Sequence, residues 1–140
     1  MRISKILVPI DGSTYSLNAL DYALDMAKTN GASLLLLHVH RPVPITLGEP
    51  NFQHVLAHAT DRSKEIMAPV EEMATKADVE FASRIVGGTP SQAIAEVAQL
   101  EKCDLIIMGS RGKSDLEGIL LGSVTHQVLQ MVHCPVMVVR

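Results

Sequence analysis

The residues best suited to chemistry lie between Met108 and Thr125. They read Gly109-Ser110-Arg111-Gly112, then nine residues, then Gly122-Ser123. Glycine allows backbone shapes closed to other residues and lets an amide approach an anion closely. Successive amides in such a loop form a concave anion site. Ser123 stands where a helical pattern begins, so unpaired amides and the positive helix end face the same way. A polyphosphate held between Gly109–Gly112 and Gly122–Thr125 would use both halves. Arg111 and Lys113 would add charge, and the hydroxyls of Ser110, Ser114, Ser123 and Thr125 would donate. The spacing is neither the P-loop, since no Gly-Lys-Ser/Thr follows a four-residue gap, nor GxGxxG. The alternative is that these glycines only make a strand-to-helix turn and let a helix pack closely.

Asp11, within Pro9-Ile10-Asp11-Gly12-Ser13, is a candidate ribose or metal contact; otherwise it is a turn residue that caps a helix. His38 and His40 share a strand face, and His54 and His58 are one helical turn apart. Zinc needs three or four converging ligands, and nothing in the sequence brings these together. Solvated or hydrogen-bonded histidine is therefore the expectation. Met26, Met67, Met73, Met108 and Met131 fall mostly on apolar stripes, as core-filling methionines do. Cys103 and Cys134 have neither CxxC nor zinc-type spacing and read as buried thiols in a reducing compartment.

The elements that must position these groups come from 140 residues, 47% of them hydrophobic, with a net charge of −3. That is enough chain for a real core and for one domain, residues 1–140. Disordered, collagen-like and disulfide-scaffold classes are excluded by this composition. A pI near 6.0 argues against a basic nucleic-acid binder or a polybasic membrane-surface protein. Tryptophan does not occur, which argues against base-stacking platforms. No apolar stretch approaches the roughly 20 residues of a membrane helix. Met1–Ile10 lacks a signal-peptide pattern, so the expected location is the cytoplasm.

Apolar runs alternate with helix-period segments, the signature of βαβ units and a parallel sheet. Strands are expected at Lys5–Ile10, Ser33–Val39, Glu80–Val86, Asp104–Met108 and Pro135–Val139. The consecutive leucines of the second suit a strand buried on both faces. Helices are expected at about 15–28, with Leu17, Leu20, Leu24 and Ala27 inward and Asn30-Gly31 as the stop; at 53–76, kinked or split by Pro69; from Pro90; and at 123–132. Thr89 and Gln92 suggest a capping box. Five strands and four helices give an α/β doubly wound parallel sheet, whose ligands bind beyond the carboxyl ends of the strands, where strand order reverses.

Together these segments resemble the universal stress protein family. The resemblance rests on the glycine spacing, the preceding Asp104-Leu105-Ile106-Ile107-Met108, the opening Ile6–Ser13 and the closing His133–Arg140. It spans the whole chain. It implies a three-layer α/β/α fold with a five-stranded parallel sheet, adenine nucleotide α-hydrolase-like and Rossmann-like. It also implies a homodimer through the last strand, Val136 to Val139, and ATP with Mg as the cofactor of the nucleotide-binding branch. Matched by position, Pro9, Ile10 and Asp11, with Ser13 just beyond, would lie by adenine and ribose. Val39 would meet adenine, and Met108 would flank base or sugar. Gly109, Ser110, Arg111, Gly112 and Lys113 would wrap ribose and phosphates, and Gly122, Ser123, Val124 and Thr125 would hold the β- and γ-phosphates. Asp115 and Glu117 depart from the family pattern, which is often uncharged there; near a triphosphate they would repel it unless they point outward or bind Mg²⁺. The implied role is a stress-response regulator read through conformation or dimerisation. A nucleotide-independent interaction module and a slow ATPase, with His126 as base, are the alternatives; no well-matched base is evident, so at most weak hydrolysis is expected.

Overall fold

A computed structural model of the chain describes residues 2–113, 115 and 117–140; Ser114, a candidate hydroxyl donor above, lies outside them. Five parallel strands, β1 (Lys5–Pro9), β2 (Ser33–His40), β3 (Phe81–Gly87), β4 (Leu105–Gly109) and β5 (Val136–Val139), form one sheet in the order β3-β2-β1-β4-β5. Four helices connect them: α1 (Thr14–Asn30), α2 (Asn51–Lys76), α3 (Pro90–Leu100) and α4 (Ser123–Met131). The expected three-layer α/β/α fold is the one observed.

Strand side chains alternate between the two faces of the sheet, and the buried residues divide accordingly. Ile6, Val8, Leu34, Leu36, Leu105 and Ile107 pack with Leu20 and Ala23 of α1 and Met67 and Val70 of α2. Leu7, Leu35, Leu37, Ile106 and Met108 pack with Ile94 and Val97 of α3 and Val128 of α4. The leucine run of β2 is thus buried on both sides. Strand order reverses between β1, the central strand, and β4, whose register sets Ile6 against Leu105 and Leu7 against Ile106.

Local chemistry accounts for the helix ends. Ser13 caps α1, its Oγ accepting the Ser16 amide at 3.1 Å. Gly31 ends it at φ 65°, a left-handed conformation that favours glycine. Two expectations are corrected. α2 runs unbroken through Pro69; proline removes one helical hydrogen bond, but Pro69 is exposed while Met67 and Val70 on either side of it are wholly buried. Thr89 precedes Pro90 as an N-cap without any side-chain hydrogen bond, so the capping box with Gln92 does not form. Both side chains are exposed, where water can serve the first-turn amides. Element ends otherwise shift by one or two residues, and the proline-rich loop carries a short 3₁₀ turn, Ile45–Leu47.

Candidate functional site

The carboxyl ends of β1 and β4, at the reversal of strand order, open into a cleft of about 190 Å³. β1 contributes Pro9 and Ile10, and Asp11 follows. β2 contributes Leu37 and Val39, and β4 contributes Met108 and Gly109. Arg111, Gly112 and Lys113 form the loop wall, and Ser123, Val124 and Thr125 bring in the first turn of α4. The fold therefore gathers most of the candidate residues around one hollow. Ser16, Leu37, Arg41, Pro90, Ile94 and Asp115 also line it; the sequence did not assign the first five to a site. Leu37 and Ile94 become visible once the strand faces are known; Arg41 carries no sequence signal beyond following β2.

Three candidates stand off the cleft. Ser13 is buried behind it as the α1 cap. Ser110 is buried, its hydroxyl without a partner among the described residues, and it borders a separate hollow with Gly118–Leu120 and Arg140. Gly122 is buried beneath Asp115. Its amide donates to the Ser110 carbonyl at 2.7 Å and so is already spent within the protein.

The loop amides do meet negative charge, but it is the chain's own. Asp11 accepts the Ser13 amide at 2.9 Å and the Ser13 hydroxyl on Oδ1, and the Lys113 amide at 3.1 Å on Oδ2. One carboxylate thus clamps the β1–α1 turn to the glycine loop. Asp115 Oδ2 accepts the Gly112 amide. Asp115 therefore points inward, whereas Glu117 is exposed. The first turn of α4 follows Gly122, which has no side chain to cap it; the leading amides of a helix are without partners inside the helix and carry the positive end of its dipole.

Two further contacts fix the frame. Thr125 Oγ1, buried, donates to the Gly109 carbonyl at 2.8 Å, joining α4 to the end of β4. Gly109 itself lies against α1: a Cβ there would stand 2.7 Å from Tyr15 Cβ and 2.9 Å from the Tyr15 carbonyl carbon. Close helix packing is thus one sufficient reason for that glycine. The guanidinium of Arg111 sits over the Tyr15 ring, 4.6 Å from its centroid, a cation–π arrangement.

The histidines serve the backbone or solvent. His38, buried, places Nδ1 2.6 Å from the Ile10 carbonyl, so that nitrogen donates and steadies the end of β1. His126 is exposed on α4 and does not line the cleft. Among the described residues no three His, Cys, Asp or Glu side chains gather as a metal cluster. Both cysteines are free. Burial pushes the Cys103 thiol up to about 11 and raises that of Cys134, which is only partly buried.

Comparison with known proteins agrees with this architecture. Residues 2–140 match the universal stress protein family. A universal stress protein of Methanocaldococcus jannaschii is 36% identical over 138 residues, spanning 97% of this chain and 81% of that protein. The solved structure of universal stress protein UspA from Lactobacillus plantarum superposes with a TM-score of 0.89 at 26% identity, covering 100% of this chain and 99% of that one. A universal stress protein solved in complex with cAMP is 31% identical, with a TM-score of 0.65, covering 100% of this chain and 98% of that one.

Proposed function

The chain belongs to the universal stress protein family, and from that premise we propose that it is an adenine-nucleotide-binding regulator whose ligand is ATP. One observation carries the reading: at the mouth of the cleft the Gly112 and Lys113 amides are each held by a carboxylate, beside the uncapped first turn of α4. An anion already satisfies the loop, and a phosphate offers the same chemistry. The cAMP complex of a relative supports a purine nucleotide as the class of ligand.

In this reading adenine enters between the apolar walls of Ile10, Leu37, Val39 and Met108. The phosphates run over Gly112 and Lys113 to the amides of Ser123, Val124 and Thr125, with Arg41, Arg111 and Lys113 balancing their charge. Mg would supply charge neutralisation on the phosphates; Asp11, at the rim, would face it only by giving up its bond to Ser13 or Lys113. At most weak hydrolysis is expected: both Asp11 oxygens are engaged, and His126 stands off the cleft. ATP is thus read through conformation or association rather than turned over. A second copy pairs along β5. This edge strand bonds to β4 through the Pro135 and Val139 carbonyls, which turns the backbone groups of Val136 and Val138, of opposite parity, to the open side. We place the protein in the cytoplasm; among the described residues no helix is long and apolar enough to cross a membrane.

Isothermal titration with ATP and magnesium tests the ligand. One-to-one saturable binding, with adenosine bound more weakly, is expected. No heat at millimolar nucleotide removes the reading and leaves the nucleotide-independent module.

A further inference from the structure

We propose that Asp115 is a resident surrogate for phosphate and sets how many phosphates this site accepts. The inference rests on the nucleotide reading above and deepens it. Asp115 Oδ2 accepts the Gly112 amide and lies directly over Gly122, where an added Cβ would overlap it. Gly122 is the N-cap of α4. The carboxylate therefore sits between the two halves of the glycine motif, at the end of the cleft where the distal phosphates of a nucleotide would arrive.

Two oxyanions cannot share one amide and one hollow. A nucleoside, or a monophosphate held nearer the sugar, leaves Asp115 in its place. The β- and γ-phosphates require it to leave. Its departure breaks a hydrogen bond between a backbone amide and a charged acceptor, and any incomplete withdrawal leaves like charges in proximity. Asp11 does not play this part. Its Oδ2 holds the Lys113 amide, but its Oδ1 is tied to the α1 turn, whereas among the described residues the Asp115 side chain bonds only to the amide at issue. The same displacement gives the Gly112 amide two partners, the seated Asp115 carboxylate or a seated phosphate. That is the bistable element a nucleotide-read regulator requires.

The test compares ATP and AMP affinities, by titration calorimetry with magnesium, for the wild-type chain, Asp115→Ala and Asp115→Asn. Asp115→Ala is expected to raise the ATP:AMP affinity ratio about tenfold, the equivalent of one charge-assisted hydrogen bond. Asp115→Asn, neutral and of the same shape, should move it in the same direction by less, and AMP binding alone should change by less than twofold. An unchanged ratio with both ligands still bound overturns the inference and leaves the nucleotide reading standing. Weaker ATP binding by either variant, as loss of a magnesium ligand would give, also overturns it. Binding of neither nucleotide by any of the three chains refutes both readings together.

Discussion

Gly109→Ala separates two reasons for a glycine at the end of β4. Were Gly109 there only to let a ligand approach, alanine would cost the ligand-free protein nothing. Gly109 has no positive φ, so alanine fits its backbone, and the smaller entropy of the unfolded chain would then stabilise the fold by about 0.4–1 kcal/mol. The structure gives the opposite sign. A Cβ at Gly109 would lie 2.7 Å from Tyr15 Cβ, 2.9 Å from the Tyr15 carbonyl carbon and 3.1 Å from its oxygen. Carbon atoms rest about 3.5–4.0 Å apart, so the first turn of α1 must retreat by roughly 0.8 Å. Two of these neighbours are backbone atoms, and no rotamer change relieves them. Overpacking of this kind costs about 1–3 kcal/mol, which the entropy gain only partly offsets, leaving a loss of about 1–2 kcal/mol. In a domain of this size that lowers Tm by about 3–8 °C. The assay is urea unfolding followed by circular dichroism in nucleotide-free buffer, with the m-value checked for constancy. A variant as stable as the parent, or more so, would falsify the packing account of Gly109.

Thr125→Val removes the hydroxyl that serves the buried Gly109 carbonyl and should destabilise by about 1–3 kcal/mol, with Thr125→Ser restoring most of it in the same urea assay. Asp104 accepts the Ser4 and Lys5 amides and the Ser4 hydroxyl, which hold its carboxyl below the usual range. Its stabilising effect is therefore present above the unfolded carboxylate pKa of about 3.9 and lost as pH falls through the folded value. Asp104→Asn should cost about 1 kcal/mol at neutral pH; the gap to wild type should close as acid protonates the Asp104 carboxyl, and a gap constant with pH would contradict this. Cys103, with its thiol pushed up to about 11 by burial, should resist iodoacetamide at pH 7.5 until the protein unfolds, while the less buried Cys134 is modified first, as read by mass spectrometry. Val138→Pro removes an amide that faces the open edge of β5 and should yield a folded monomer by light scattering if β5 is the pairing edge; an unchanged oligomer counts against that edge.

How much of this was legible in the residues depended on the range of the interaction. Leu34–Leu37 announces a strand buried on both faces because alternation and continuous apolarity are local signals, and the two core clusters divide these leucines as expected. Asn30-Gly31 announces a helix stop for the same reason, and Gly31 takes the left-handed cap. Local rules failed where a distant surface or solvent decided the outcome. Pro69 reads as a break, yet the helix persists, with buried Met67 and Val70 close by. Thr89 reads as half of a capping box, yet it makes no cap bond. At the site, glycine spacing pointed to the loop wall and the start of α4, and only the family resemblance pointed to Pro9, Ile10, Val39 and Met108. Neither gave a sign that Asp11 bonds Lys113 across 102 positions, that Gly122 spends its amide on Ser110, or that Asp115 turns inward. Those contacts depend on how β1, β4 and α4 meet, which no single segment encodes.

The most direct test of the nucleotide site is a ¹⁵N-amide NMR titration of the uniformly labelled protein with ATP and magnesium. The largest saturable shifts should fall on Gly112, Lys113 and the α4 turn Ser123–Thr125, with smaller ones at Ile10 and Val39. Saturation with shifts confined to the far edge of the sheet, or none at all, would contradict it.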